Sequence, residues 1–403
     1  MTSPGALLRF IRDSGELTRS ELITRTGLAR TTVGQRLEKL LACGFVTEAA
    51  RGPSTGGRPP TQLRFNSEAR VVVALELRAT RARAAITDLA AVALAETELH
   101  VDLSNGPDAA LERLDQCVTD LLDCASHDWE DVGGIGVGAP RFLLRDGAAS
   151  PAPPSLESWR ARSITQWFAA RHDVPVVVED TVNLMALGEQ RIHWSDVDDL
   201  IYVHVDDEIV SGLIAAGEIH RGATGAAGDI GHIQMSADTN ARCRCGRTGC
   251  LTALAGGAAI VTRLAGGRRA ANTTHDVAAL ALAGDRRAVN AIRATGALIG
   301  ETLALCVRCF NPGVVAIGGT LAYAHLPLIA AMQHVLFERS STAATDDLRV
   351  VRSRLGDRAA TIGAAVAVSD ILLSPDAIDQ TLAGRSAHSP ELAFAGPQGR
   401  LDP

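Results

Sequence analysis

The chain contains a glycine-rich block, Gly222-Ala223-Thr224-Gly225-Ala226-Ala227-Gly228-Asp229-Ile230-Gly231-His232, followed closely by Cys243-Arg244-Cys245-Gly246-Arg247-Thr248-Gly249-Cys250. Three thiolates and one imidazole form a complete tetrahedral ligand set for zinc, with no position left open for water. The spacing predicts a structural Zn²⁺ ion that shapes a loop and performs no hydrolysis. Its predicted ligands are His232, Cys243, Cys245 and Cys250. Buried cysteines without a metal are the alternative interpretation.

The composition is that of an ordinary globular protein, with 46% hydrophobic and 21% charged residues among 403. This length accommodates two or three domains. The N-terminus lacks the basic-then-apolar form of a signal peptide, and no uninterrupted apolar run is long enough to span a bilayer. We therefore expect a cytoplasmic protein without a membrane partner, whose eight cysteines serve a metal or the core rather than disulfides.

Charge is divided unevenly along the chain. Residues 1–65 contain ten Arg and Lys against five Asp and Glu, a net charge of +5, whereas the remaining 338 residues carry 29 against 41, a net charge of −12. A basic head on an acidic body indicates a polyanionic partner for the head alone.

The basic head has the sequence signals of three helices. Apolar spacing predicts the first over residues 5–14, and Thr18 with Glu21 forms a capping box that begins the second. The third is predicted from about Arg30 to Cys43. Its predicted inner face consists of Val33, Leu37, Leu40 and Leu41.

The opposite face of the third helix carries short polar and basic side chains, which suit base edges and phosphates of a DNA major groove. A short strand, a turn rich in Gly and Pro, and a return strand over residues 62–65 follow, in the order of a winged helix-turn-helix. The wing tip, with Arg58, can enter a minor groove. The predicted DNA contacts are Arg30, Thr31, Thr32, Gln35, Arg36, Lys39 and Arg58. A docking module that binds no DNA is the alternative.

Beyond Asn66 the pattern changes to alternating strands and helices, and it restarts near residue 199. This repetition predicts two similar α/β lobes facing each other across a cleft. The predicted domains are a winged helix-turn-helix over 1–66, a first lobe over 67–198, a second lobe with the zinc loop over 199–375, and a disordered tail over 376–403. The tail is predicted from its content of Pro, Gly, Ser and Ala without periodicity.

The glycine-rich block, the cysteine cluster and the winged head together resemble the ROK family of repressors and sugar kinases, over nearly the whole chain. The resemblance implies an actin-like, hexokinase-like two-lobed body, with sugar bound in the cleft beside the zinc loop. It also implies a homodimer or homotetramer that binds paired DNA half-sites.

The resemblance also identifies what this chain lacks for sugar phosphorylation. The family's kinases have Asp-x-Gly-x-Thr and Gly-Thr-Gly-x-Gly turns at the ATP phosphates, where this chain has Glu76-Leu77-Arg78-Ala79-Thr80 and Asp206-Asp207-Glu208-Ile209-Val210. The Cβ of Ala79 crowds the phosphate, and three carboxylates repel it. In the family motif Glu-Asn-Asp-x-Asn, Thr181 replaces the catalytic aspartate, and a threonine hydroxyl is no general base at neutral pH. We therefore expect no enzyme activity and assign no catalytic residue.

The resemblance assigns the contacts to sugar hydroxyls to Ser155, Thr181, Asp229, His232 and Thr252. Charge-assisted hydrogen bonds contribute about 1.5–3 kcal/mol each, so these mostly shortened or neutral side chains weaken the binding of a conventional hexose. Either the effector is a different carbohydrate-like molecule, phosphorylated or less polar, or no effector is used.

The sequence thus predicts a DNA-binding transcriptional regulator, a repressor, whose operator is double-stranded DNA and whose effector is a sugar or sugar derivative. DNA binding would associate it with the nucleoid. Two alternatives stay open, a sugar kinase fused to a DNA-binding head and an effector-independent DNA-binding oligomer.

Overall fold

The computed structural model describes residues 3–49, 61–144, 154–237, 239–265 and 271–384. The chain divides into two compact units. The first contains Met1–Val137, Arg162–Val178 and Ala364–Pro403, and the second contains Gly138–Ala161 and Glu179–Gly363. Among the described helices, no single one is long and apolar enough to cross a membrane, and Gly356–Leu372 with Pro375–Leu382 has that composition only as a pair bent by 57°.

The head consists of three helices and a small sheet. Its elements are α1 (Pro4–Ser14), β1 (Leu17–Thr18), α2 (Arg19–Thr26), α3 (Arg30–Ala42), β2 (Val46–Ala49) and β3 (Gln62–Phe65). The predicted capping box is confirmed, because the Thr18 hydroxyl accepts from the Glu21 N–H and the Glu21 carboxylate accepts from the Thr18 N–H. The sheet is antiparallel with the order β1-β3-β2, so β2 and β3 form the two strands of the wing.

The first large sheet has five strands. Its strands and the helices between them are β4 (Val71–Leu77), β5 (Arg81–Asp88), β6 (Ala93–His100), α4 (Pro107–Cys124), β7 (Val132–Ala139), α5 (Ile164–Ala169) and β8 (Val176–Asp180). The strand order is β6-β5-β4-β7-β8. Every residue of β4 is buried, and all of them except Glu76 are apolar, as expected for a strand covered on both faces.

The second large sheet has the order β11-β10-β9-β12-β13. This part contains α6 (Thr181–His193), β9 (Leu200–Val205), β10 (Ile209–Ala215), β11 (Glu218–Ile219), α7 (Leu251–Ala255), α8 (Gly257–Leu264), α9 (Thr274–Leu282), α10 (Arg286–Phe310), β12 (Val314–Gly318), α11 (His325–Arg339), α12 (Thr342–Thr345) and β13 (Arg349–Arg352). The helices α13 (Ala359–Leu372) and α14 (Pro375–Leu382) follow. Both large sheets have the same strand order when their strands are counted along the chain, which confirms the predicted repetition.

The predicted start of a disordered tail at residue 376 is wrong. Helix α14 covers Pro375–Leu382 because the Ser374 hydroxyl caps it, proline occupies its first turn, and Ile378 is fully buried. Residues 385–403 lie outside the described residues, as does the wing tip over residues 50–60 with Arg58. The other predicted domain bounds stay predictions.

Candidate nucleic-acid interface and metal centre

Helix α3 has one buried face and one solvent face. Val33, Leu37 and Leu40 are at most 2% exposed. Leu41 is only half-buried, since it lies at the edge of that face. Of the predicted DNA contacts on this helix, Thr32 and Arg36 are half-buried, and the exposed ones are Arg30, Thr31, Gln35 and Lys39. The structure therefore places an apolar core under a polar, basic surface on the same helix.

The predicted metal ligands lie together. The ligand atoms of His232, Cys243, Cys245 and Cys250 all lie within 4.8 Å of one another. The Sγ atom of Cys243 is 3.3 Å from Nδ1 of His232, and the Sγ atoms of Cys245 and Cys250 are 3.6 Å apart. Tetrahedral zinc–sulfur bonds of about 2.3 Å place two sulfurs roughly 3.8 Å apart, so these separations fit a zinc ion.

Backbone hydrogen bonds bring the three cysteines to this point. A tight turn between Cys243 and Gly246 is closed by an N–H to C=O bond of 3.0 Å, and Cys250 stands at the N-cap of α7. Gly249 has a φ of +72°, and a Cβ there would lie 1.7 Å from the carbonyl oxygen of Ser236. Only glycine fits, so this residue allows the last cysteine to turn back to the others.

The thiols have uneven proton affinities in the absence of a metal. Burial raises the pKa of Cys250 to about 12, and burial also raises the pKa of Cys243. The pKa of Cys245 is lowered because hydrogen bonds from the Arg247 N–H and the neighbouring thiols outweigh its desolvation. A divalent cation would replace these protons and favour the three thiolates.

The glycine-rich block packs against strand β10. The Ser211 hydroxyl donates to the Gly228 carbonyl at 2.6 Å, and a Cβ on Gly228 would lie 2.4 Å from the Ser211 carbonyl oxygen. Gly231 approaches as closely, since a Cβ there would lie 1.9 Å from the Ile209 carbonyl oxygen. This close approach places Asp229 and His232 beside the end of the strand.

The predicted sugar contacts have different surroundings. The Thr181 hydroxyl is buried and has no hydrogen-bond partner among the described residues. The Thr252 hydroxyl bonds the backbone N–H and carbonyl of Ile209, both at 3.2 Å, so it is already used inside the fold. Asp229 is half-buried, and Ser155 is exposed in the 3₁₀ segment Pro154–Ala161. Thr181 is therefore a predicted contact whose buried hydroxyl has unused hydrogen-bonding capacity within the described part of the chain.

Two arginines pair with the carboxylates that precede Thr181, and the sequence analysis missed both. Arg141 donates to Asp180 at 2.7 Å and to the Ala227 carbonyl at 3.3 Å. Arg221 donates to Glu179 at 2.7 Å. Burial raises the pKa of Asp180, and the Arg141 charge opposes that shift. The partners lie about forty positions apart along the chain, so no local pattern connects them.

In the segment that the resemblance places at the second phosphate turn, the carboxylates of Asp206–Glu208 contact other side chains of the protein. Asp206 accepts from the Thr320 hydroxyl at 2.9 Å, and Asp207 accepts from the Thr274 hydroxyl. Glu208 pairs with Arg244 at 2.5 Å, although burial raises the pKa of Glu208. At the first phosphate turn, Glu76 pairs with Arg78 at 2.8 Å. The carboxylates of both segments are thus held by hydroxyl or guanidinium groups of the protein itself.

Known proteins resemble both parts of the chain. The model described as "ROK family" matches residues 72–371, and the model described as "Winged helix-turn-helix DNA-binding" matches residues 5–47. The xylose repressor of Bacillus subtilis (strain 168) is 26% identical over 369 residues, which cover 91% of this chain and 94% of that protein. The DNA-binding transcriptional dual regulator NagC of Escherichia coli (strain K12) is 29% identical over 384 residues, which cover 92% of each.

A solved structure has the same fold over almost the whole length. The crystal structure of a ROK family transcriptional regulator, a homologue of the E. coli MLC protein, matches with a TM-score of 0.75 and 23% identity, over 94% of this chain and 98% of that one. The predicted combination of a winged head with a hexokinase-like body is confirmed. The chain therefore belongs to the ROK family, as a transcriptional regulator with a winged helix-turn-helix DNA-binding domain ahead of the family's body.

Proposed function

We propose that this protein is a repressor that binds an operator through α3 and the wing, and that its body has given up sugar phosphorylation. The observation that carries the proposal is the two-sided character of α3. Val33, Leu37 and Leu40 are at most 2% exposed, whereas Gln35 and Lys39 face solvent one turn apart. Gln contacts an adenine edge and Lys a phosphate. Arg30, Thr31, Thr32, Arg36 and Arg58 complete the proposed DNA surface.

The cluster of His232, Cys243, Cys245 and Cys250 holds zinc in this proposal. Zinc with four protein ligands supplies no catalysis, and it fixes the loop between the 3₁₀ turn Ile230–His232 and α7. The support is the donor set and the 3.3 Å and 3.6 Å separations within it. Asp229 directly precedes the 3₁₀ turn, so coordination of His232 would also fix the segment that carries Asp229.

Loss of kinase activity follows from two separate departures. Thr181 provides no carboxylate to take a proton from a sugar hydroxyl. The segment Asp206–Glu208 places three carboxylates where a triphosphate would be bound, and two of them are held in place by Thr320 and Thr274. Either departure alone would lower phosphotransfer by orders of magnitude.

A small carbohydrate-like effector is the second part of the proposal. The B. subtilis relative is named for xylose. In this chain the pairs Arg141–Asp180 and Arg221–Glu179 neutralise the two carboxylates beside Thr181, at 2.7 Å each. The Thr181 hydroxyl and the Asn183 side-chain carbonyl oxygen, which no described residue engages, supply hydrogen bonds to neutral hydroxyls. We therefore favour an uncharged sugar over a sugar phosphate.

The protein acts in the cytoplasm, on the nucleoid, as a homodimer or homotetramer.

Selection of fragments from the protein's own genome by the full chain tests the proposal. We expect enrichment of a few intergenic fragments that share a paired motif, and the expectation fails if the recovered pool matches the input. Gln35→Ala serves as the matched variant, because it removes one proposed base contact and leaves the head charge unchanged. The genes beside the bound fragments would identify the pathway and the effector to try.

The two alternatives have their own tests. A sugar kinase with a DNA-binding head would form ADP from ATP in the presence of some hexose, which we expect not to occur. An effector-independent oligomer would show no thermal shift with any sugar, whereas an effector-binding regulator would be stabilised by one of them.

A further inference from the structure

Two arginines of the second compact unit share one aromatic ring. The Cζ atom of Arg349, on β13, lies 4.5 Å from the centroid of the Trp194 ring, and the Cζ atom of Arg354 lies 5.5 Å from it. Both arginines are exposed, whereas Trp194 is 8% exposed. A guanidinium group within about 6 Å of a ring centroid is attracted to the face of the ring. The ring therefore holds two positive charges beside each other at the surface.

These two charges are uncompensated within the described part of the chain. Among the described residues, the guanidinium groups of Arg349 and Arg354 have neither an ion pair nor a hydrogen bond. Arg191 of α6 differs, because it donates to the Gly217 carbonyl at 2.7 Å and pairs with Glu218. Two like charges on one ring repel each other. An anion bound between them would relieve that repulsion.

The Trp194 ring contributes a third unused donor. Its Nε1 atom is buried and has no hydrogen-bond partner among the described residues, although buried polar groups nearly always have one. An indole N–H and a guanidinium group both donate hydrogen bonds and accept none. The cluster of Trp194, Arg349 and Arg354 therefore presents donors alone, and its chemical complement is an oxyanion.

The backbone that carries these donors is fixed. Glu189 of α6 is fully buried, and its carboxylate accepts from the Ser353 hydroxyl at 2.7 Å and from the Arg354 N–H at 3.2 Å. Trp194 is the C-cap of the same helix. Arg349 lies in β13, which pairs in parallel with β12. The donors are thus held by a helix end, a strand and an anchored turn before any ligand binds.

We propose that Trp194, Arg349 and Arg354 form a binding site for the phosphate group of a small molecule, either inorganic phosphate or a phosphorylated metabolite. Guanidinium groups bind phosphate oxygens through pairs of parallel hydrogen bonds. The site goes beyond the proposed function and is separate from the proposed effector site. Thr181 begins α6, whose 13 residues place it about 20 Å from Trp194.

The charge of the body favours a small anion over nucleic acid as the ligand. Residues 66–403 carry a net charge of −12, which repels a duplex lying along the surface. Salt screens charges beyond about 8 Å at physiological ionic strength. A single phosphate group at the cluster therefore experiences mainly Arg349 and Arg354.

Calorimetric titration of the full chain with inorganic phosphate and with glucose 6-phosphate, at pH 8 and in a buffer free of phosphate, tests the site. We expect saturable binding of at least one probe. Arg349→Ala and Arg354→Ala should each weaken it by about tenfold or more, since each removes charge-assisted hydrogen bonds. Tighter binding of the ester would identify a phosphorylated metabolite as the ligand, and equal binding would identify inorganic phosphate.

Arg352→Ala is the matched control. Arg352 is an exposed arginine of the same strand, but its Cζ atom lies 5.1 Å from the centroid of the Tyr323 ring instead. Residues three apart on a strand point to opposite faces and lie about 10 Å apart, which is a Debye length at 0.1 M salt. Arg352→Ala should therefore change the affinity for either probe less than about twofold.

Three results would overturn the proposal. The first is the absence of saturation with both probes up to about 10 mM, where a Kd of about 1 mM would be detected. The second is equal weakening by Arg349→Ala and Arg352→Ala, which would indicate a general effect of surface charge. The third is weaker binding of random duplex DNA by Arg349→Ala with unchanged phosphate binding, which would make nucleic acid the ligand.

Discussion

Gln35 and Lys39 face solvent one turn apart on α3, and their chemistry predicts different effects when each is truncated. Gln35→Ala should cost about 1–3 kcal/mol on the best operator and relax the choice of base at one position. Lys39→Ala should weaken binding to all duplexes about equally and reduce the slope of log K against log salt by about 1. Anisotropy titrations at several salt concentrations separate the two. Identical behaviour of the two variants would argue against this assignment of α3.

Cys245 and Cys309 are both free cysteines of the second compact unit, but only Cys245 belongs to the metal cluster. Cys245→Ser should reduce bound zinc below one per chain and lower Tm by roughly 10 °C, since metal binding contributes to folding stability. Cys309→Ser, at an exposed position of α10, should change neither quantity. Metal analysis and calorimetry measure both. If the Cys245→Ser protein kept the parental Tm and operator affinity, zinc would have no role in the stability of the protein or in its operator binding.

The geometry of the metal loop depends more on Gly249 than on Gly246. Gly246 and Gly249 both have positive φ values, +86° and +72°. A Cβ at Gly246 would meet no atom of the described residues within 4 Å, whereas one at Gly249 would lie 1.7 Å from the Ser236 carbonyl oxygen. Gly246→Ala should cost about 1–2 kcal/mol and keep the metal. Gly249→Ala should open the turn and release it. Zinc retention after gel filtration distinguishes them, and equal retention would contradict this loop geometry.

Most elements of this fold could be predicted because their signals are local. The capping box of Thr18 and Glu21 marks the start of α2. Alternating or continuous apolar residues in the sequence indicate the strands of both large sheets. Helix α14 could not be predicted, because Ile378 is its one fully buried side chain and its partner, α1, lies at the opposite end of the chain. Local composition there is typical of a loop.

The site shows the same limit. The cluster of His232, Cys243, Cys245 and Cys250 could be predicted from the sequence, because these residue types at this spacing are typical zinc ligands. Arg141 and Arg221 could not be predicted as site residues, because their carboxylate partners are distant in the sequence and are identified only by the structure. The use of the Thr252 hydroxyl by the Ile209 backbone was equally invisible in the sequence.

In the proposed function, the body is a kinase scaffold whose chemistry has been lost in more than one place. Restoring one group should therefore not restore the reaction. Thr181→Asp supplies a carboxylate at the position of the general base, but Asp206 and Asp207 stay bonded to Thr320 and Thr274. We expect no hexose-dependent formation of ADP from this variant in a coupled assay. Measurable turnover would mean that the nucleotide site is intact.

A competition titration with the full chain tests directly whether this ROK body serves a DNA-binding head. A labelled genomic fragment is displaced by the same fragment unlabelled or by a duplex of scrambled sequence, at physiological salt and with zinc present. We expect the scrambled duplex to compete at least about a thousandfold less well, the lower bound for specific operator binding. Equal competition by the two duplexes would contradict it.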